Sequence, residues 1–131
     1  MSNVSAYAGA LLLNFLLNAQ TATRPTAWGV GLSLGSPTSV SGSEITTGSG
    51  YARASATFPA ASTPGSATNG TAMTYGPFSG AASISGANLW DTVLSLNSGN
   101  LLMEGLLATA RTVGIGDSLV IGSAAMTITM S

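Results

Sequence analysis

The feature that most limits what this chain can fold into is a single change in the spacing of its apolar residues, at Arg24-Pro25. Before that point Val4, Tyr7, Ala8, Leu11, Leu12, Phe15, Leu16 and Ala19 recur at the spacing of one helical face. Leu13 and Leu17 widen the face, and Asn14 and Asn18 leave a narrow polar edge. No proline interrupts the run, and Ser2, Asn3 and Ser5 are all residue types that cap helix starts. A helix over residues 4–19 is therefore expected. Its apolar surface is broader than one small domain needs, so it should pack on the body of the chain or on a neighbouring subunit.

After Arg24-Pro25 the period falls to two. Trp28, Val30, Leu32 and Leu34 alternate with Gly29, Gly31 and Ser33, as in a half-buried strand in which Trp28 anchors the core. Ala52, Ala54, Ala56 and Phe58 alternate in the same way with Tyr51, Arg53, Ser55 and Thr57. Residues 35–50 and 59–70, rich in Gly, Ser, Thr and Pro, read as surface loops. Further strands are expected over 71–78, within 82–96 with Gly86 as a bulge, over 101–108 as a well-buried strand, and over 119–121 and 125–130. Residues 97–100 and 114–117 carry the turn chemistry that links them. About seven or eight short strands separated by turns favour a sandwich. The chain thus reads as mainly β. Residues 1–22 form a helical arm for packing or assembly, and residues 23–131 form one β-sandwich with jelly-roll-like or immunoglobulin-like connections.

Charge narrows the function. Only 5% of the 131 residues are charged, against about 25% in an ordinary globular domain. The charges are Arg24, Arg53, Arg111, Glu44, Asp91, Glu104 and Asp117, with no lysine. Three scattered arginines cannot form the basic stripe that phosphate neutralisation needs, so nucleic acid is not an expected partner. A net charge of −1 gives little self-repulsion, and no lysine guards the strand edges, so association between subunits is favoured. The N-terminal apolar run has no preceding basic residue and is too short for a bilayer, so neither a signal peptide nor a membrane span is expected.

The chain has no His, Cys or Lys. Ser-His-Asp triads, Cys-His pairs, Schiff-base lysines and His/Cys zinc sites are all excluded. A carboxylate pair is the one catalytic device the composition permits, and no aromatic platform accompanies it. The expectation is a protein that is not an enzyme and needs no cofactor or metal. Gly29-Val30-Gly31 and Gly114-Ile115-Gly116 lack the spacing and context of phosphate-binding loops, and read as strand and turn glycines. Glu44 and Arg53 are candidates for a bridge between a loop and a strand, with solvated surface charges as the alternative. Arg111 and Asp117 flank one turn and are read as solvated.

Several pieces recur in a fixed order along the chain. They are Ala10-Leu11-Leu12-Leu13-Asn14-Phe15-Leu16-Leu17-Asn18, Trp28-Gly29-Val30-Gly31-Leu32, Pro37, Glu44, Gly50-Tyr51-Ala52-Arg53 and Phe58. Asn100-Leu101-Leu102, Gly105, Leu107, Val113 and Gly116-Asp117-Ser118-Leu119 follow, before a Thr/Ile-rich last strand. In these pieces the sequence resembles short phage structural proteins of the tail-fibre-like or head-decoration kind. The resemblance implies a virion component, made in the host cytoplasm and assembled on the particle. It implies a homo-oligomer, with a trimer favoured. The leading expectation is a capsid decoration (cement) subunit that stabilises the head by multivalent contacts with the major capsid protein. The alternative is a tail-associated protein, either fibre, adaptor or receptor-binding subunit, in which Tyr51, Tyr75 and Phe78 would read host sugars from exposed loops. In either case the expected partner-binding residues are Leu11, Leu12, Phe15 and Leu16 of the helix, with Tyr51 and Arg53 of the Gly-Tyr-Ala-Arg element.

Overall fold

A computed structural model describes residues 3–18, 20–35, 44–45, 50–61, 65–94 and 99–129. Its elements in chain order are β1 (Asn3–Val4), α1 (Ala6–Leu17), β2 (Trp28–Ser33), β3 (Ala54–Ala56) and β4 (Ser66–Thr68). They continue with β5 (Met73–Tyr75), β6 (Ala82–Trp90), β7 (Leu101–Val113), β8 (Leu119–Ile121) and β9 (Thr127–Thr129). The fold is mainly β with one N-terminal helix, as the change of period predicts. Five strands form an antiparallel sheet in the order β1-β7-β6-β2-β3. Two antiparallel ribbons, β4-β9 and β5-β8, complete it. The alternation in β5 sends Met73 and Tyr75 inward and Thr74 outward. The Tyr75 hydroxyl donates to the Val30 carbonyl at 3.0 Å, which ties the β5-β8 ribbon to the large sheet in a sandwich-like arrangement.

The core gathers Val30 and Leu32 of β2, Ile84 and Leu89 of β6, Met73 and Tyr75 of β5, and Ile45. β2 is not half-buried. Gly29, Val30, Gly31, Leu32 and Ser33 are all buried, whereas Trp28 is half-buried and Leu34 exposed. The physical reason is that β2 lies between β3 and β6 and that polar side chains cover its second face. A Cβ at Gly31 would collide with Asn88 Oδ1 and would stand 2.7 Å from Glu44 Oε1 and 2.9 Å from the Tyr51 hydroxyl. Glycine leaves the room those groups occupy.

Three other segments depart from the sequence reading. Val4, read as the start of the helix, lies in β1 and pairs with Met103 of β7, so the helix begins no earlier than its Ser5 cap. β4 falls inside a stretch read as loop, because Ser66-Ala67-Thr68 has no apolar alternation and gains its strand character from pairing with β9. β7 is buried at Leu101, Leu102, Glu104 and Gly105 but exposed at Leu106 and through much of its second half. Between Ile84 and Gly86, β6 advances two residues while β7 goes from Arg111 to Leu106, so residues 107–110 have no partners on β6. The irregularity expected at Gly86, a bulge or bend, is therefore present as a register shift whose extra residues lie on β7, of which Leu107 still packs against the core.

Helix α1 begins at Ser5. The Ser5 hydroxyl accepts from the Ala8 amide at 3.0 Å and donates to the Leu101 carbonyl. The Ser5 amide donates to the Leu102 carbonyl at 2.9 Å, and β1 pairs with β7 just beyond. One serine thus caps the helix and fastens it to the sheet. No residue of α1 is buried.

Candidate functional site

The Gly50-Tyr51-Ala52-Arg53 element runs into β3 in extended form, so Tyr51 and Arg53 share one side and Ala52 takes the other. Tyr51 and Arg53 are buried, and Ala52 is exposed. Gly50 has φ +74°, and a Cβ there would strike the Pro77 carbonyl, so this position requires glycine. Glu44 reaches the same place from the other side: it forms a bridge with Ser33, and the Ile45 amide donates to the Leu32 carbonyl at 2.9 Å.

There the Arg53 guanidinium grips both carboxylate oxygens of Glu44, Nε to Oε1 at 2.8 Å and Nη2 to Oε2 at 2.7 Å. Its Nη1 donates to the Leu94 carbonyl at 2.7 Å, and its Cζ lies over the Trp90 ring, 3.9 Å from the centre. Trp90 Nε1 donates to Asn88 Oδ1 at 2.9 Å. The Tyr51 hydroxyl donates to Glu44 Oε1 at 2.7 Å and accepts from the Leu32 amide at 2.9 Å. The Tyr51 ring stacks on Tyr75, 6.3 Å between centroids. Burial pushes the Tyr51 hydroxyl far above its ordinary pKa, and the hydrogen bond to Glu44 adds to that. Burial does the same to Tyr75, with the Glu44 charge second. Both phenols stay protonated and act as fixed donors.

The cluster pins residues 44–45 and 92–94 onto the sheet. Side-chain exposure is 0% for Arg53 and 6% for Glu44, so a second molecule cannot reach their polar atoms. Arg53 and Tyr51, expected on a partner-facing surface, are instead turned inward by the alternation of the strand, where Glu44 claims them. Tyr51, Tyr75 and Phe78 are likewise buried and do not present an aromatic surface for sugars. The expected Glu44–Arg53 bridge is present, and it is an interior one. Sequence reasoning missed Asn88 and Trp90. Gly31 was the available signal, because a glycine opposite Asn88 in β2 leaves space for large neighbours.

Two of the remaining charges fasten turns. Asp117 Oδ2 accepts from the Gly114 amide at 2.8 Å, and Asp91 accepts from the Asn100 amide at 2.7 Å and from its side chain at 2.8 Å. Among the described residues the ion pair is Glu44–Arg53, and Arg111 is exposed without one, as read. Arg111 lines an open groove of about 700 Å³ with Leu106, Leu107, Leu119, Ile121 and Met126.

The helix is the opposite kind of surface. Leu12, Phe15 and Leu16 are 39%, 58% and 63% exposed, and Leu11 is half-buried. Leu13 and Leu17 are exposed at 57% and 79%. At 12 residues α1 spans about 18 Å, and none of the described helices is long and apolar enough to cross a membrane.

Residues 3–129, nearly the whole chain, match the family described as Podophage GP4 fiber I protein gp80. The chain belongs to this family. No curated protein matches it. Membership in a podophage fibre family makes the chain a virion structural component, in keeping with the resemblance carried by its motifs. Of the two roles that resemblance implied, a fibre family supports the tail-associated one over capsid decoration.

Proposed function

We propose that this chain is a non-catalytic subunit of the phage tail apparatus, a fibre or fibre-adaptor component. Several copies assemble around an axis, with a trimer as the favoured form, and the assembly attaches to another tail protein. The observation that carries this reading is the family match over residues 3–129. The distribution of polarity supports it: the body locks its buried ion pair inside and leaves few charges on its surface, while α1, with Leu94, Leu106, Ile115 and Val120 of the body, holds large apolar side chains in solvent. A subunit that lives inside an assembly tolerates that arrangement; an isolated soluble chain is poorly served by it. The carboxylates support a structural role as well, since Glu44, Asp91 and Asp117 are engaged in hydrogen bonds and Glu104 is buried.

Stoichiometry and location on the purified particle test this reading. We expect the chain to fractionate with tails and to be present far below the major capsid protein. A stoichiometry comparable to the capsid protein, retained on tailless heads, would overturn the tail assignment and restore capsid decoration.

A further inference from the structure

The exposed side of α1 has a pattern that the overall apolarity of the helix conceals. Ala8 packs against the core and Leu11 is half-buried, so this side of the helix faces the body of its own chain. Around the opposite side lie Ala6, Gly9, Ala10, Leu13, Leu16 and Leu17. Their spacing is i, i+3, i+4, i+7, i+10, i+11, the repeat of a helix seam that packs against another helix. Leu13, Leu16 and Leu17 are 57%, 63% and 79% exposed, and a Cβ on Gly9 would meet nothing within 4 Å.

We propose that this seam is an interface between copies of the chain, in which α1 of one copy packs against α1 of the next. The inference rests on the homo-oligomeric part of the proposed function and assigns the surface that carries it. Three observations select a second copy as the occupant. First, α1 contains no charged residue, so it offers a charged partner nothing to recognise, and identical helices do not repel one another. Second, Tyr7 and Leu12 flank the seam and are also exposed. Together with the three leucines they hold roughly 500 Å² of accessible apolar surface, so two copies would bury on the order of 1,000 Å², the area at which specific interfaces begin. Third, small residues occupy the end of the seam nearest the body, at Ala6, Gly9 and Ala10. They let helices approach closely where β1 and Ser5 hold them to β7.

The test is charge complementation on the full chain. One variant carries Leu13→Glu, Leu16→Glu and Leu17→Glu; a second carries Leu13→Lys, Leu16→Lys and Leu17→Lys. Glu, Lys and Leu have similar helix propensities, and these positions are exposed, so both variants should keep the wild-type circular dichroism spectrum. Multi-angle light scattering should give an oligomer for the wild type, single-chain mass for each variant alone, and an oligomer again when the two are mixed. Val120→Glu, exposed on β8 away from the seam, should remain oligomeric. If both triple variants stay oligomeric, copies associate elsewhere and the seam assignment is wrong. If both dissociate and the mixture does not recombine, α1 is covered by a different surface, and helix-on-helix packing is refuted. A single-chain mass for the wild type refutes the homo-oligomer and the seam together, while location on the particle still decides the tail role.

Discussion

Around Arg53 the chain buries charge, and along α1 it exposes leucine. In the first region every group has a partner: the two Glu44 oxygens receive Arg53 Nε, Arg53 Nη2 and the Tyr51 hydroxyl, and the remaining guanidinium edge meets the Leu94 carbonyl. Desolvating an ion pair costs several kcal/mol per ion, and good geometry with full hydrogen bonding is what offsets it. In the second region the cap at Ser5 and the contacts with β7 hold the helix, and its side chains contribute little to the core. The contrast separates two tasks. The buried cluster specifies how residues 44–45, β3 and the turn after β6 close on β2. The helix adds little to the core of the folded chain, which leaves its exposed side for the contact between copies proposed above.

If that separation holds, the largest effects on stability come from the cluster. Replacing Arg53 by Met leaves the Glu44 carboxylate buried without its cation and should cost about 3–5 kcal/mol in urea unfolding. Adding Glu44→Leu should recover a large part of that loss, since removing both charges is milder than stranding one. A loss below about 1 kcal/mol for the single variant would mean that Glu44 is hydrated, and would dissolve the comparison. Tyr51→Phe comes next. It removes the donor to Glu44 and leaves the Leu32 amide unsatisfied in the core, at a cost of about 1–3 kcal/mol.

The sequence displays one of these regions and hides the other. The helix is legible because its apolar residues repeat locally and nothing distant is needed to form it. The strands at Trp28–Ser33 and Leu119–Ile121 are legible for the same reason, through alternation between turn residues. What alternation cannot reveal is which side of a strand faces polar neighbours from far along the chain. Gly31 looks like the solvent side of β2, yet Asn88, Glu44 and Tyr51 meet over it, each brought from a different segment. The Glu44–Arg53 bridge is a candidate in the sequence, with solvated charges as its alternative; that it is interior is not visible there, because a charged residue is seldom buried unless paired and the pair lies nine residues away in a segment read as loop. Trp28 shows the converse error. It shares a face with Val30 and Leu32, but it sits at the end of β2 and is only partly covered, whereas Trp90 on β6 is buried under the guanidinium. Residues 36–43, 46–49 and 62–64, read as parts of loops, residues 95–98, read as the end of a strand and part of a turn, and Ala19 and Met130, read as ends of the helix and of the last strand, lie outside the described residues.

A smaller effect is expected in the other region. The triple Leu13, Leu16 and Leu17 change to Glu should alter the unfolding free energy of the single chain by less than about 0.5 kcal/mol, as substitutions at exposed sites do. Measured at a concentration where wild type and variant have the same mass, a loss near that of Arg53→Met would show that α1 belongs to the folding core, and the two regions would no longer be distinct.

The last prediction concerns the boundary between them. Glu104 sits on β7 opposite Asn88 of β6, beside β1 and the start of α1, and is buried at 3% exposure. Its Oε2 has no hydrogen-bond partner among the described residues. Burial raises its pKa above the ordinary 4.5, so the folded chain holds this proton more tightly than the unfolded chain does. The sign follows by linkage: its contribution favours the fold below about pH 4.5 and is lost as pH rises through the folded-state pKa. Glu104→Gln should therefore unfold at a higher temperature than the wild type at neutral pH, and the gain should vanish below about pH 4.5. Because the comparison is between two chains at one pH, the other carboxylates cancel. A variant less stable than the wild type at neutral pH would mean that the Glu104 carboxylate is ionised and partnered, and that the junction of arm and body is held by a second charge.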